Sequence, residues 1–185
     1  MKKILVIGGS SSLHSINRKF AAFAAGQLRD VSLTVLDLND FEMPIFSVDR
    51  EKEGYPDAAK RFLDEIENAD GLVISLAEHN GSYSSAFKNV LDWSSRLDRN
   101  LWQNKPMLLL STSPGPRGGA NVMQAALHYF PRLGANIITN FSLPGYHSHF
   151  NGEQILDPDL ADSFSEPLKI FEQHLQSTRE VASGK

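Results

Sequence analysis

The sequence contains no cysteine, so a disulfide scaffold, a thiolate metal site and a cysteine nucleophile are all excluded. It lacks an excess of positive charge: 18 Lys+Arg stand against 22 Asp+Glu, a formal net charge of −4. That balance argues against a nucleic-acid binder, which would carry a basic face. Long apolar runs are missing too. The first, Ile4-Leu5-Val6-Ile7, stops at Gly8-Gly9 and is too short for the apolar centre of a signal peptide. No stretch approaches the roughly 18–20 apolar residues of a membrane span. The expectation is cytoplasmic residence, with no nucleic-acid and no membrane partner. Tracts of low complexity, repeats and linkers are likewise absent, and 185 residues fit one domain with a sizeable core, 1–185.

What is present is a regular alternation. Short runs rich in Val, Ile and Leu occur at 4–7, 31–36, 71–76, 107–110 and 136–139, as strands covered on both faces should read. Between them lie segments with apolar residues at helical spacing, such as Ile16, Phe20, Phe23 and Ala24, or Ala58, Phe62, Leu63 and Ile66. A last helix is expected over about 159–176, with Pro167 shifting its start and an unwound tail after Thr178. Residues 39–56, with Pro44, Gly54 and Pro56, read as a long irregular segment. Alternation of this kind predicts an α/β three-layer sandwich with a five-stranded parallel sheet. The flavodoxin-like order 2-1-3-4-5 fits, and its ligand site lies beyond the C-terminal ends of the strands.

Three loops fall at that edge. The first, Gly8 to Arg18, offers Ser10, Ser11, Ser12 and Ser15 and then Asn17 at a helix start. Free N–H groups and a partial positive charge at a helix N-terminus suit a phosphate. The alternative is that Ser15 only caps the helix. No Gly-Lys-Ser/Thr ends the loop, and no third glycine follows at dinucleotide spacing, so a nucleoside triphosphate and a dinucleotide are disfavoured. A Ser-rich, Lys-free loop points to the monophosphate of FMN. The second loop is Ala77-Glu78-His79-Asn80-Gly81-Ser82-Tyr83, and the third runs from Ser113 through Pro114, Gly115, Gly118 and Gly119. The helix after the second loop is apolar over a wide arc, Phe87, Val90, Leu91, Trp93 and Leu97, which suits either the chain's own core or a partner subunit. His147 and His149 have no carboxylate at ligand spacing, so no metal is expected. Glu78 and Asp92 offer a carboxylate pair on paper, but Lys88 precedes Asp92 by four, and an intrahelical ion pair is the simpler account.

Together these loops resemble the flavodoxin-like NAD(P)H-dependent FMN reductase family, with its quinone, chromate and azo-dye reductases, over about residues 3–140. Glu78-His79-Asn80-Gly81-Ser82 leading to Lys88-Asn89-Val90-Leu91-Asp92-Trp93 is similar to the family's Pro-Glu-Tyr-Asn-Gly-Ser…Leu-Lys-Asn-Ala-Ile-Asp-Trp signature. Gly9, Ser10, Ser15 and Asn17 match its Gly-Ser-x-Arg-x-x-Ser-x-Asn phosphate loop, with Ser12 where the family has arginine. Ala77 and His79 replace its Pro and Tyr, and Ser113-Pro114-Gly115 with Gly118-Gly119 matches its third loop. The resemblance implies that Ser10, Ser15 and Asn17 hold the FMN phosphate, Arg18 being the remaining cation for it. It places Glu78, Asn80 and Gly81, next to His79, along the ring and Ser113 to Gly119 along its other edge. It implies NADPH or NADH as electron donor and a small acceptor. Hydride transfer belongs to the flavin, so no side-chain acid or base is required, and the expected assembly is a homodimer or homotetramer. A flavodoxin-type electron carrier without reductase activity of its own is the competing reading.

Overall fold

In the computed structural model the described residues are 1–183, with side chains through residue 177. Five parallel strands, β1 (Lys2–Gly8), β2 (Val31–Leu36), β3 (Gly71–Leu76), β6 (Pro106–Thr112) and β7 (Asn136–Leu143), form one sheet in the order β2-β1-β3-β6-β7. Leaving out the two short strands β4 (Glu78–His79) and β5 (Ser82–Tyr83), this is the expected 2-1-3-4-5 order of a flavodoxin-like fold. The strands extend past the apolar runs that announce them. β7 reaches Leu143 rather than Thr139, because parallel pairing with β6 continues through Thr112↔Leu143 whatever the polarity of the side chains.

Helices cover both faces. On one lie α1 (Ile16–Gly26) and α7 (Pro158–Ser183), which enclose Ile4, Val6, Phe20, Val73, Leu108, Leu110, Phe164 and Phe171. On the other lie α3 (Asp57–Glu67), α4 (Ser85–Leu97) and α5 (Ala120–Tyr129), over Leu5, Ile7, Phe62, Leu72, Ile74, Trp93, Trp102, Leu109 and Phe130. The central strand β3 is buried at every position, as its mostly apolar run suggests, with Ser75 as the polar exception. Gly8 is imposed by this packing: a Cβ there would sit 2.4 Å from the Cα of Arg18, so α1 could not cross the end of β1.

Three expectations are corrected. The irregular segment 39–56 contains a 3-10 turn, Leu38–Phe41, and a short helix α2 (Val48–Lys52) capped by Ser47. Pro167 does not set the start of the last helix. Asp157 caps that start by accepting the Leu160 N–H at 3.1 Å, Pro158 takes the first helical position, and Pro167 sits inside α7. The unwound tail after Thr178 gives way to helix through Ser183; Gly184 and Lys185 lie outside the described residues.

The wide apolar arc of α4 also finds its answer. Phe87, Val90, Leu91 and Trp93 are all buried by the chain itself. Segment 43–46 closes over them: Trp93 Nε1 donates to the Pro44 carbonyl at 2.7 Å, and Phe46 packs edge-on against the indole at 5.1 Å. Asn89 Nδ2 donates to the carbonyls of Met43 and Pro44, and its Oδ1 accepts from the Phe46 N–H. The helix therefore needs no partner subunit to cover it.

Candidate functional site

At the C-terminal edge of the sheet the first loop stays close to the backbone of β3. The Gly9 N–H donates to the Ser75 carbonyl at 2.8 Å, and the buried Ser84 hydroxyl donates to the Gly9 carbonyl at 2.7 Å while accepting from Phe87 N–H as the cap of α4. Ser15 is buried and caps α1, accepting from the Arg18 N–H at 3.1 Å. The capping alternative is thus realised, yet the hydroxyl keeps its own proton to donate. Ile16 and Asn17, in the first turn of α1, have no intrahelical acceptor for their N–H groups.

The Asn17 side chain is engaged elsewhere. Its Oδ1 accepts from Ser75 Oγ at 2.7 Å and from the Thr112 N–H at 3.1 Å, and its Nδ2 donates to the Thr112 carbonyl at 3.1 Å. One carboxamide therefore ties α1 to β3 and β6, leaving the Asn17 backbone N–H rather than its side chain open to a ligand. Arg18 is turned away as well. It pairs with Asp37 and donates to the Leu13 carbonyl at 2.8 Å, so it does not supply the cation that Ser12 lacks. The Asp37 carboxyl lies below its ordinary range mainly because the Asn39 N–H donates to it, burial opposing and Arg18 assisting.

The second loop is a β-hairpin. β4 and β5 pair Glu78↔Tyr83 and His79↔Ser82 around Asn80 and Gly81, both at positive φ (51° and 76°). An Asn-Gly pair of that kind signals a tight hairpin turn in sequence, and that signal went unread. Glu78 holds the hairpin to α5: its carboxylate accepts from the N–H groups of Asn121 (2.8 Å) and Val122 (3.0 Å) and from Asn121 Nδ2 (3.2 Å). Gly119, which precedes α5, offers no side-chain cap, so Glu78 supplies it from another loop and places its charge where the helix dipole favours it. The Tyr83 hydroxyl is buried without a partner, and burial first, with Tyr129 beside it, pushes its pKa up to about 12. It stays protonated at neutral pH.

In the third loop Ser111 Oγ donates to the Gly118 carbonyl at 2.7 Å and Thr112 Oγ1 to the Leu143 carbonyl at 2.8 Å. The N–H groups of Gly145 and Tyr146 bond the Gly115 and Ser113 carbonyls. Gly118 has φ +57°, and a Cβ there would lie 2.7 Å from the carbonyl carbon of Leu143, so only glycine fits. His149, in the short helix α6 (Tyr146–His149), bonds the Pro144 carbonyl through Nδ1, and Lys88 pairs with Asp92 at 2.5 Å.

These loops enclose a cavity of about 210 Å³. Ser10, Ser12, Ser15, Asn17, Glu78, His79 and Ser113 line it, together with His14, Ile16, Ala77, Thr112 and Pro114. A second hollow of about 280 Å³, with Ser11, Met43, Ile45, Ser85 and Asn89 in its wall, lies on the other flank of the same serine loop. Asn80, Gly81, Gly115, Gly118 and Gly119 shape the loops without lining the first cavity. His14 was missed although it sits inside the serine loop, and Thr112 because it still belongs to its strand. No lysine or arginine lines the cavity; its basic side chains are His14 and His79. A larger groove of about 640 Å³, between α1 and α7, contains none of the loop residues. Among the described residues no group of three or more His, Asp or Glu is placed to hold a metal, and no helix is long and apolar enough to cross a membrane.

Comparison with known proteins shows what the chain is similar to. Residues 2–148 match the model of a family described as NADPH-dependent FMN reductase. The chain is 36% identical over 117 residues to a quinone reductase of Pseudomonas putida, covering 63% of this chain and 62% of that one. It is 36% identical over 120 residues to a 2-hydroxy-1,4-benzoquinone reductase of a Burkholderia species, covering 64% of each. The match thus spans less than two thirds of either relative's length. The fold superposes with TM-score 0.74, at 22% identity, on the flavoenzyme NAD(P)H:(acceptor) oxidoreductase FerB of Paracoccus denitrificans, over 96% of this chain and 98% of that one.

Proposed function

The chain belongs to the NADPH-dependent FMN reductase family, and on that premise we propose that it holds FMN at the C-terminal edge of its sheet and uses NADPH or NADH to reduce a small acceptor such as a quinone, a free flavin, an azo dye or a metal oxyanion. The observation that carries this reading is the convergence of three loops on one cavity whose donors are neutral. The Ser10, Ser12 and Ser15 hydroxyls and the N–H groups of Ile16 and Asn17 offer hydrogen bonds to a phosphate without the bulk of a triphosphate loop. Bound FMN supplies the hydride-accepting centre and lets donor and acceptor use one opening in turn, a ping-pong order.

The protein's part is position and electrostatics. Glu78, fixed by three donors at the start of α5, holds the hairpin that carries His79 against the serine loop. Ser113 and Pro114 form the opposite wall, braced by Gly118 against β7. Relatives whose names specify quinones support that acceptor class first. We further propose a cytoplasmic homo-oligomer, dimer or tetramer, in which the exposed Ile45 and Val48 beside the second hollow meet another subunit.

The test is direct. Protein mixed with equimolar FMN, then with NADPH under anaerobic stopped flow, should lose flavin absorbance within one turnover and regain it when a benzoquinone is added. FMN that binds without being bleached by NADPH or NADH would leave an electron carrier instead. Released cofactor identified by mass as FAD would overturn the monophosphate reading.

A further inference from the structure

Asparagine directly before glycine occurs twice in the chain, at Asn80-Gly81 and at Asn151-Gly152, and all four residues are exposed. Glycine has no side chain to keep its amide nitrogen away from the carboxamide carbon of the preceding asparagine. When that nitrogen attacks the carbon, a C–N bond forms, the bond to the side-chain nitrogen breaks, and ammonia leaves a five-membered succinimide. Water then opens the ring at either carbonyl, giving aspartate or isoaspartate, the latter with one extra methylene in the backbone. Nothing is oxidised or reduced, and base speeds the attack by removing the amide proton.

The fold treats the two pairs differently. Asn151 is pinned, its Oδ1 accepting from the N–H groups of Glu153 and Gln154, each at 2.9 Å. Among the described residues the Asn80 carboxamide makes no hydrogen bond, and neither does the Gly81 N–H. Electrophile and nucleophile are thus both free at the hairpin tip. Its left-handed backbone, φ 51° at Asn80 and 76° at Gly81, turns them apart, so the tip has to open before they meet. Opening is local, because the ladder has only two pairs, Glu78↔Tyr83 and His79↔Ser82. Releasing the second pair frees the turn while Glu78 stays anchored to α5.

From this we propose that Asn80-Gly81 is a site of spontaneous covalent modification, where the hairpin tip closes to a succinimide and passes with age to aspartate and isoaspartate. The change bears on the cavity through His79, which precedes the tip and lines the cavity wall. A carboxylate at position 80 sets negative charge beside a cavity proposed to hold a phosphate. The added methylene of isoaspartate lengthens the turn and displaces the His79↔Ser82 pair. In return, a molecule seated against His79 steadies that pair and slows the reaction. These effects on the flavin rest on the proposed function, whereas the modification itself rests on the hairpin alone.

Asn151 serves as the internal control. Wild-type protein, with and without FMN, is held at pH 8.5 and 37 °C, and aspartate and isoaspartate at both sites are followed by peptide mapping. Conversion at Asn80 should outpace that at Asn151 roughly tenfold, since two hydrogen bonds must break before Asn151 reacts. Saturating FMN should slow Asn80 and leave Asn151 unchanged. Asn80→Asp, which carries the charge without the extra methylene, should bind FMN several-fold more weakly in low salt and riboflavin as before. Conversion at Asn151 that equals or exceeds that at Asn80 overturns the proposal. So does a folded chain unchanged at Asn80 while the guanidinium-unfolded chain reacts at both sites. FMN that binds yet leaves the Asn80 rate as it was overturns the link between hairpin and cavity. A tip that ages as expected in a protein that takes up no FMN strikes the flavin reading and upholds the modification.

Discussion

Asn17 illustrates how a residue type can be legible while its use is not. Its position after Ser15 is visible in the sequence, but its carboxamide binds Ser75 and Thr112, 58 and 95 residues away. Long-range partners of that kind leave no local pattern. Replacing it with aspartate keeps two of the three bonds, turns the third into a repulsion against the Thr112 carbonyl, and buries a negative charge beside the proposed phosphate site. FMN affinity should fall more than tenfold. Loss of the one donor should also cost about 1–3 kcal/mol, read as a lower urea midpoint. Ser12→Arg makes the converse case. The cavity lacks a guanidinium because Arg18 is committed to Asp37, and an added charge-assisted bond is worth about 1.5–3 kcal/mol. Fluorescence titration should show FMN bound roughly ten- to hundredfold more tightly, with no change for riboflavin, which carries no phosphate.

At the level of elements, the sheet order could be read from five apolar runs, because a strand covered on both faces advertises itself. The hairpin β4–β5 could not be read that way. Its strands are two residues each, too short to show a period, so only the Asn80-Gly81 turn betrays it. The arc of α4 left its cover open between the chain's own core and a partner subunit. A broad apolar face says that something covers it, and here the cover is the proline-bearing segment 43–46 of the same chain. Segments of irregular structure have no periodicity to reveal what they pack against. Trp93 is accordingly a core residue and cannot serve as an interface probe. Pro167 is an element-scale liability, since it removes the bond to the carbonyl of Ser163 inside α7. Pro167→Ala should stabilise the protein, by up to about 3 kcal/mol. Calorimetry should then show a rise of about 2–4 °C in Tm per kcal/mol gained.

For the whole molecule, two carboxylates tie distant parts of the chain and set its behaviour in acid. Glu172 on α7 accepts from the Arg29 side chain and backbone, and these bonds hold its carboxyl below the ordinary 4.5 against the opposing effect of burial. Asp37 is likewise held below 3.8. Groups with lowered folded values stabilise the protein above their unfolded values and lose that contribution as pH falls through the lower ones. Wild type should therefore exceed Glu172→Gln in urea midpoint equally at pH 7 and pH 5.5, with the gap narrowing as pH falls below the ordinary 4.5. The bonds among Gly9, Ser75, Asn17, Thr112, Glu78 and α5 have one more consequence. The cavity wall is held by hydrogen bonds between the protein's own groups. A molecule entering it has little backbone to order, so the conformational entropy that a floppy loop would surrender on association is already spent in folding. Capture should be rigid docking: a single kinetic phase whose rate climbs linearly with ligand concentration, with no slow isomerisation following the encounter.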